Sequence, residues 1–246
     1  MGSTAHHSPQ KEIVPAIYRL QRLFLSLCIV LGPALGIAAV VTAPGYYSTK
    51  SGPVAALASF VTASTAQLQA NAICSVIATY LFPVALLAMA WLAMRRAPWW
   101  TSIAMLVVFL GVFPFPAFNA QNALTWDLSR MGNNPVFNTI VQRFNDDGVM
   151  SYYNAVFILG TILGPVLIGI ALWRARTVPT WAAVLILIGR PLVFLYPLVQ
   201  SFVPAVSLQA LTWILLFIGS IPAALAMLRI SSNDSQRMTN VQAKTL

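Results

Sequence analysis

Apolar positions fall in six long runs, about 23–43, 71–94, 99–118, 152–173, 181–202 and 207–228, separated by shorter polar stretches. Each run is close to the roughly 20 residues that an α-helix needs to cross a bilayer core of about 30 Å. The pattern predicts an all-α fold: a polytopic membrane helix bundle of six transmembrane helices. A single membrane domain covers 19–229, with polar tails at 1–18 and 230–246. The first run resembles a signal peptide, and Val41-Thr42-Ala43 resembles a cleavage site. Its apolar core is too long for that, and Pro44 would follow the cut, so it is read as a span.

Between the runs the punctuation is local. In 44–66, Val54, Leu57 and Val61 recur at helical spacing. They predict either a short interfacial helix or an extension of the next span, and an extra membrane element at 52–66 stays open. Phe113-Pro114-Phe115-Pro116 is a poor helix sequence that belongs at an interface or beside a cavity. The stretch 119–150 is the longest polar segment. Within it, Asn134-Pro135 reads as a helix start and Asn145-Asp146-Asp147-Gly148 as a turn. Leu-Gly-Pro occurs at 31–33 and 163–165, two expected kinks.

Composition strengthens the membrane reading. Only 8% of the 246 residues are charged, against about a quarter in soluble domains, and mean hydropathy is +0.78. The net charge of +9 is not a nucleic-acid footprint, because the charges lie at the ends of apolar runs. With six spans and a cytoplasmic N-terminus, ten Lys and Arg residues fall inside and three (Lys50, Arg130, Arg143) outside. This is the bias of the positive-inside rule. It predicts both termini in the cytoplasm and a multi-pass protein of the cell (inner) membrane. A gapless internal match pairs 95–116 with 176–197, through Arg95/Arg176, Pro98/Pro179, Trp100/Trp181 and Pro116/Pro197. It is read either as a parallel hairpin repeat or as the common punctuation of membrane hairpins.

The chemistry centres on Arg190, in Gly189-Arg190-Pro191, the only formal charge in the fifth run. An arginine at bilayer depth costs about 2.5–3.5 kcal/mol on insertion scales, and no predicted span contains an acid to pair with it. One reading makes Arg190 the counter-charge for an anionic ligand. The other makes it a structural arginine that snorkels or bonds backbone carbonyls left open by Pro191. Asn71, Tyr153, Asn154, Tyr196 and Gln200 lie in a polar belt at the outer span ends, together with Gln67, Gln69, Asn119, Gln121, Asn122 and Tyr152. They are candidate ligand-binding residues or ordinary interfacial side chains. Asp127, Asp146 and Asp147 are the only outer carboxylates, hence the only candidates for acid–base catalysis. Asp146-Asp147 reads more simply as a turn and helix cap.

The chain has no P-loop, nucleophile elbow or Cys-x-x-Cys pair. Its two histidines, His6 and His7, lie in the N-terminal tail, and its cysteines, Cys28 and Cys74, fall in spans. No metal or other cofactor is expected. The expected partners are membrane lipids and a hydrophobic or amphipathic small molecule, not nucleic acid; the oligomeric state is open. The segment 168–185, IGIALWRARTVPTWAAVL, resembles one common in small uncharacterised bacterial multi-span inner-membrane proteins, actinobacterial ones in particular. In size the chain is also similar to the small multi-span terpene cyclases of meroterpenoid pathways. Those use membrane-facing acids, which its spans lack. Two functions follow as expectations. One is binding of an amphipathic anionic molecule or lipid at Arg190, for transport, sequestration or self-protection. The other is a membrane-embedded cyclase or isomerase that uses an outer aspartate.

Overall fold

The computed structural model describes residues 10–45, 53–132, 134–199 and 205–244, with side chains at 16–45, 54–132, 134–196, 198 and 207–229. Gln200, the tyrosines at 46 and 47, and most of the N-terminal tail lie outside the described residues. The described chain is helical, without strands. Its elements are α1 (Gln10–Thr42), α2 (Pro53–Thr62), α3 (Thr65–Ala93), α4 (Pro98–Val112), α5 (Phe115–Arg130), α6 (Pro135–Asp146), α7 (Gly148–Ala175) and α8 (Thr180–Gly189). A 3-10 turn (Pro191–Leu195), α9 (Tyr196–Val199) and α10 (Ala205–Lys244) follow.

Local chemistry sets several of these boundaries. Ser64 Oγ accepts from the Gln67 N–H at 3.2 Å and caps α3. That cap separates α2 from α3, so residues 53–62 form their own short helix and not an extension of the span. Asn134 Oδ1 accepts from the Val136 N–H at 2.9 Å and starts α6, with Pro135 in its first turn. Asp147 Oδ1 accepts from the Val149 N–H at 2.8 Å and starts α7.

The long helices close into a ring in chain order. α1 packs on α3 and α10, α3 on α4, α4 on α7, α7 on α8, and α8 on α10. Phe82, Ile29, Leu86, Ile168, Leu172 and Leu216 fill the interior. Side chains such as Ile73, Leu106, Phe109 and Leu159 stand exposed on the outside. A large apolar exterior of this kind is matched to lipid, not water. α4 and α7 cross so closely at Gly111 and Gly160 that a Cβ on either would collide with the backbone of the other. Small residues allow this approach, and dispersion between the helices is the return. At one end, Leu57 of α2 packs with Leu128 of α5 and Phe137 and Val141 of α6, forming a cap layer.

The structure departs from the hydropathy reading in three places. Among the described residues five stretches, not six, are long and apolar enough to span: 16–42, 65–93, 98–130, 148–175 and 207–229. The fifth run, expected to span over 181–202, is not one continuous helix: α8 ends at Gly189, and a 3-10 turn separates it from the short α9. The polar segment 119–150 is mostly helix, because α5 and α6 each bury one side in the cap layer. Finally, α10 continues to Lys244 through the expected polar tail, where no glycine or proline interrupts it. Both Leu-Gly-Pro sites lie inside continuous helices.

Candidate functional site

The interruption of α8 organises the site. Ten residues rise about 15 Å, half the thickness of a bilayer core. Pro191 has no N–H to continue the ladder. The Val193 N–H returns to the Arg190 carbonyl at 3.2 Å and tightens the chain into the 3-10 turn. Non-regular backbone at this depth is tolerated where it is covered by protein or lines a cavity, and the end of α8 is in that position.

Arg190 occupies the C-cap of α8 and is only 6% exposed. Its guanidinium carbon lies 4.7 Å from the centre of the Trp213 ring. One terminal N–H donates to Thr212 Oγ1 at 3.3 Å, and Thr212 passes its own proton to the Gln209 carbonyl at 2.7 Å. The buried Nε–H has no acceptor among the described residues. Each contact stabilises a cation: the ring face through its quadrupole, the hydroxyl through a lone pair, and the helix C-terminus through its partial negative charge. None of them carries a formal negative charge. Arginine stays protonated in proteins, so the site keeps its full positive charge.

Beyond Arg190 lies a cavity of about 410 Å³. Its polar lining includes Asn71, Asn119, Asn122 and Gln209. Asn71 is anchored by Nδ2 donating to the Ala39 carbonyl at 2.7 Å. Asn119 Nδ2 donates to Thr79 Oγ1 at 2.8 Å, and Thr79 donates to the Ser75 carbonyl at 2.8 Å. The rest is largely aromatic. Trp213 meets Phe82 edge-on at 4.7 Å; Phe82 meets Phe115 at 6.3 Å; Phe157 meets Phe115 at 4.9 Å and Phe118 at 4.8 Å. From Asn71 to Phe82 the wall follows α3 for about 16 Å. The result is an apolar chamber with amides along one part and, among the described lining residues, a single cation at Arg190.

The structure therefore brings together Arg190 and Asn71, with Asn119 and Asn122 of the same belt. It does not bring in Tyr153, Asn154 or Tyr196, which are half-buried but outside the lining. Tyr153 pairs with Tyr152 at 6.1 Å, ring centre to ring centre. Asp127, Asp146 and Asp147 also lie outside it; Asp147 is engaged in capping α7. No carboxylate among the described lining residues faces Arg190. The sequence reading missed Gln209, Thr212 and Trp213. Their spacing of three and four puts them on one face of α10, a signal available in the sequence. Gly36 was missed too: a Cβ there would run into the Trp213 ring, so the glycine makes room for the ring that carries Arg190.

No group of three or more potential metal ligands occurs among the described residues. No protein-family model, curated protein or solved structure matches the chain.

Proposed function

We propose that this multi-span membrane protein binds an amphipathic, anionic small molecule or lipid in the aromatic cavity, with Arg190 as its charge anchor. The observation that carries the reading is a buried guanidinium, held among the described residues by neutral partners only, beside a cavity with no carboxylate among its described lining residues. A volume of about 410 Å³ falls in the range of roughly 300–1,000 Å³ typical of small-molecule sites. The anion balances the charge that the described residues leave open, and the phenylalanines take the apolar body. Asn71, Asn119 and Asn122 orient further polar groups. An interrupted helix ending at a cavity is also how many transporters build a substrate site, so the roles that fit are transport, sequestration or self-protection. Catalysis by an outer aspartate has less support, because none of the three lines the cavity.

The test uses the full chain in neutral detergent. Native mass spectrometry first identifies any co-purifying anionic amphiphile. Decanoate is then titrated against decanol, its neutral counterpart. The expected result is a preference for decanoate of about tenfold or more, as one charge-assisted contact implies, and its loss in Arg190→Gln. Equal preference in folded wild type and Arg190→Gln overturns the reading.

A further inference from the structure

We infer that a second cavity, at the arginine-rich end of the bundle, binds the phosphate group of an anionic phospholipid. It measures about 600 Å³ and is independent of the aromatic cavity. Five arginines line it: Arg22 of α1, Arg95 and Arg96 of the α3–α4 connection, Arg176 of the α7–α8 connection, and Arg229 of α10. Positions far apart in the chain thus place guanidinium groups around one hollow, and none of its described lining residues is acidic. The positive-inside bias accounts for arginines at this end of the helices. It does not account for their convergence. Arg174, a neighbour in sequence, goes elsewhere and lies over Trp100 at 5.3 Å.

The arrangement of the cavity is specific. Arg96 is tied down, one terminal N–H donating to the Ala175 carbonyl at 3.1 Å, so the α3–α4 connection is fixed to the end of α7. Arg176 caps that helix with φ of 51°, a left-handed conformation that side chains other than glycine seldom adopt. Beside it, the buried Thr177 Oγ1 has no partner among the described residues. The remaining lining is mainly apolar, with Leu92 of α3 and Leu225 and Met227 of α10. Guanidinium groups over an apolar floor match a phosphodiester carried on acyl chains. The fork of N–H donors suits phosphate oxygens, and basic hollows between membrane helices take anionic lipid headgroups.

Three probes are titrated into the full chain in neutral detergent. They are dihexanoyl phosphatidylglycerol, its zwitterionic phosphatidylcholine counterpart, and glycerol phosphate, which has no acyl chains. Phosphatidylglycerol is expected to bind about tenfold or more tighter than phosphatidylcholine, and an R95Q/R176Q variant to lose about thirtyfold, taking two guanidinium contributions of about 1 kcal/mol each. Both side chains are exposed, so this variant is expected to melt with the wild type. An R130Q/R143Q variant makes the same change of charge at exposed positions on α5 and α6, and is expected to keep wild-type binding. Leu225→Trp, which fills the hollow from its exposed wall, is expected to weaken binding without removing charge. If glycerol phosphate binds as tightly as the lipid and is lost in the same variant, the phosphate site stands and its ligand is soluble. Equal affinity for the zwitterion, unchanged binding in R95Q/R176Q, or equal loss in R130Q/R143Q overturns it.

Discussion

Replacing Thr212 by valine removes one oxygen from the only hydroxyl that Arg190 contacts among the described residues. Valine keeps the shape of threonine, so packing against α8 changes little. A buried N–H of the guanidinium then loses its acceptor. A hydrogen bond to a charged group is worth about 1.5–3 kcal/mol, and a separation of 3.3 Å places this one near about 1.5 kcal/mol. For a chain of this size, 1 kcal/mol moves the melting temperature by about 2–4 °C. The expected drop is thus about 3–6 °C. Arg190→Leu is nearly compensated in itself. It forfeits the Trp213 contact, worth about 2 kcal/mol when desolvated, along with the bond to Thr212, but relieves the cost of about 2.5–3.5 kcal/mol of holding the charge at depth. Once Arg190→Leu has removed the guanidinium, nothing needs the Thr212 oxygen, and Thr212→Val becomes close to neutral. The two substitutions are therefore coupled by about 1.5 kcal/mol. A thiol-reactive dye follows unfolding of all four proteins in neutral detergent, because Cys28 is only 2% exposed in the folded chain. Equal drops for Thr212→Val in the wild type and in the Arg190→Leu variant would refute the arrangement of Arg190 on α10.

Four further outcomes are expected. Gly160→Val puts a branched side chain where α7 touches the backbone of α4; overpacking by about 1–3 kcal/mol lowers the melting temperature by several degrees in the same dye assay. Gly36→Leu drives the Trp213 ring from its place, and the decanoate titration should weaken although the substituted residue carries no polar group. Asp147→Ala removes the cap of α7, costing about 1 kcal/mol of stability and leaving decanoate affinity unchanged. Replacing Asp127, Asp146 and Asp147 together by asparagine should likewise leave that affinity at the wild-type value in the same titration; a loss would bring an outer carboxylate back into the site.

Hydropathy alone marked out the membrane bundle, because burial in lipid depends on the composition of each local run. The caps at Asn134 and Asp147 were legible for a related reason: a cap acts on backbone two or three residues away. Arg190 stood out because a charge without an acid in any span has to be explained, and Asn71, Asn119 and Asn122 because they gather at the span ends. What the sequence left undecided lay in packing. An apolar run of the right length predicted a fifth span. Pro191 ends its α-helix locally, but where the guanidinium beside that break would go was decided by Trp213 and Thr212 of α10. The tyrosines and Asn154 belong to the same belt but are not part of the lining; Asn154 lies one turn nearer the start of α7 than Phe157, which does line the cavity. The acids have the right charge for catalysis and lie outside the cavity. Both cavities draw their walls from helices far apart in the chain. Their shape follows from the closure of the ring, the close crossing at Gly111 and Gly160, and the room left at Gly36. Local composition determined that this chain enters a membrane; only the register of helix against helix decided which side chains share a cavity with Arg190.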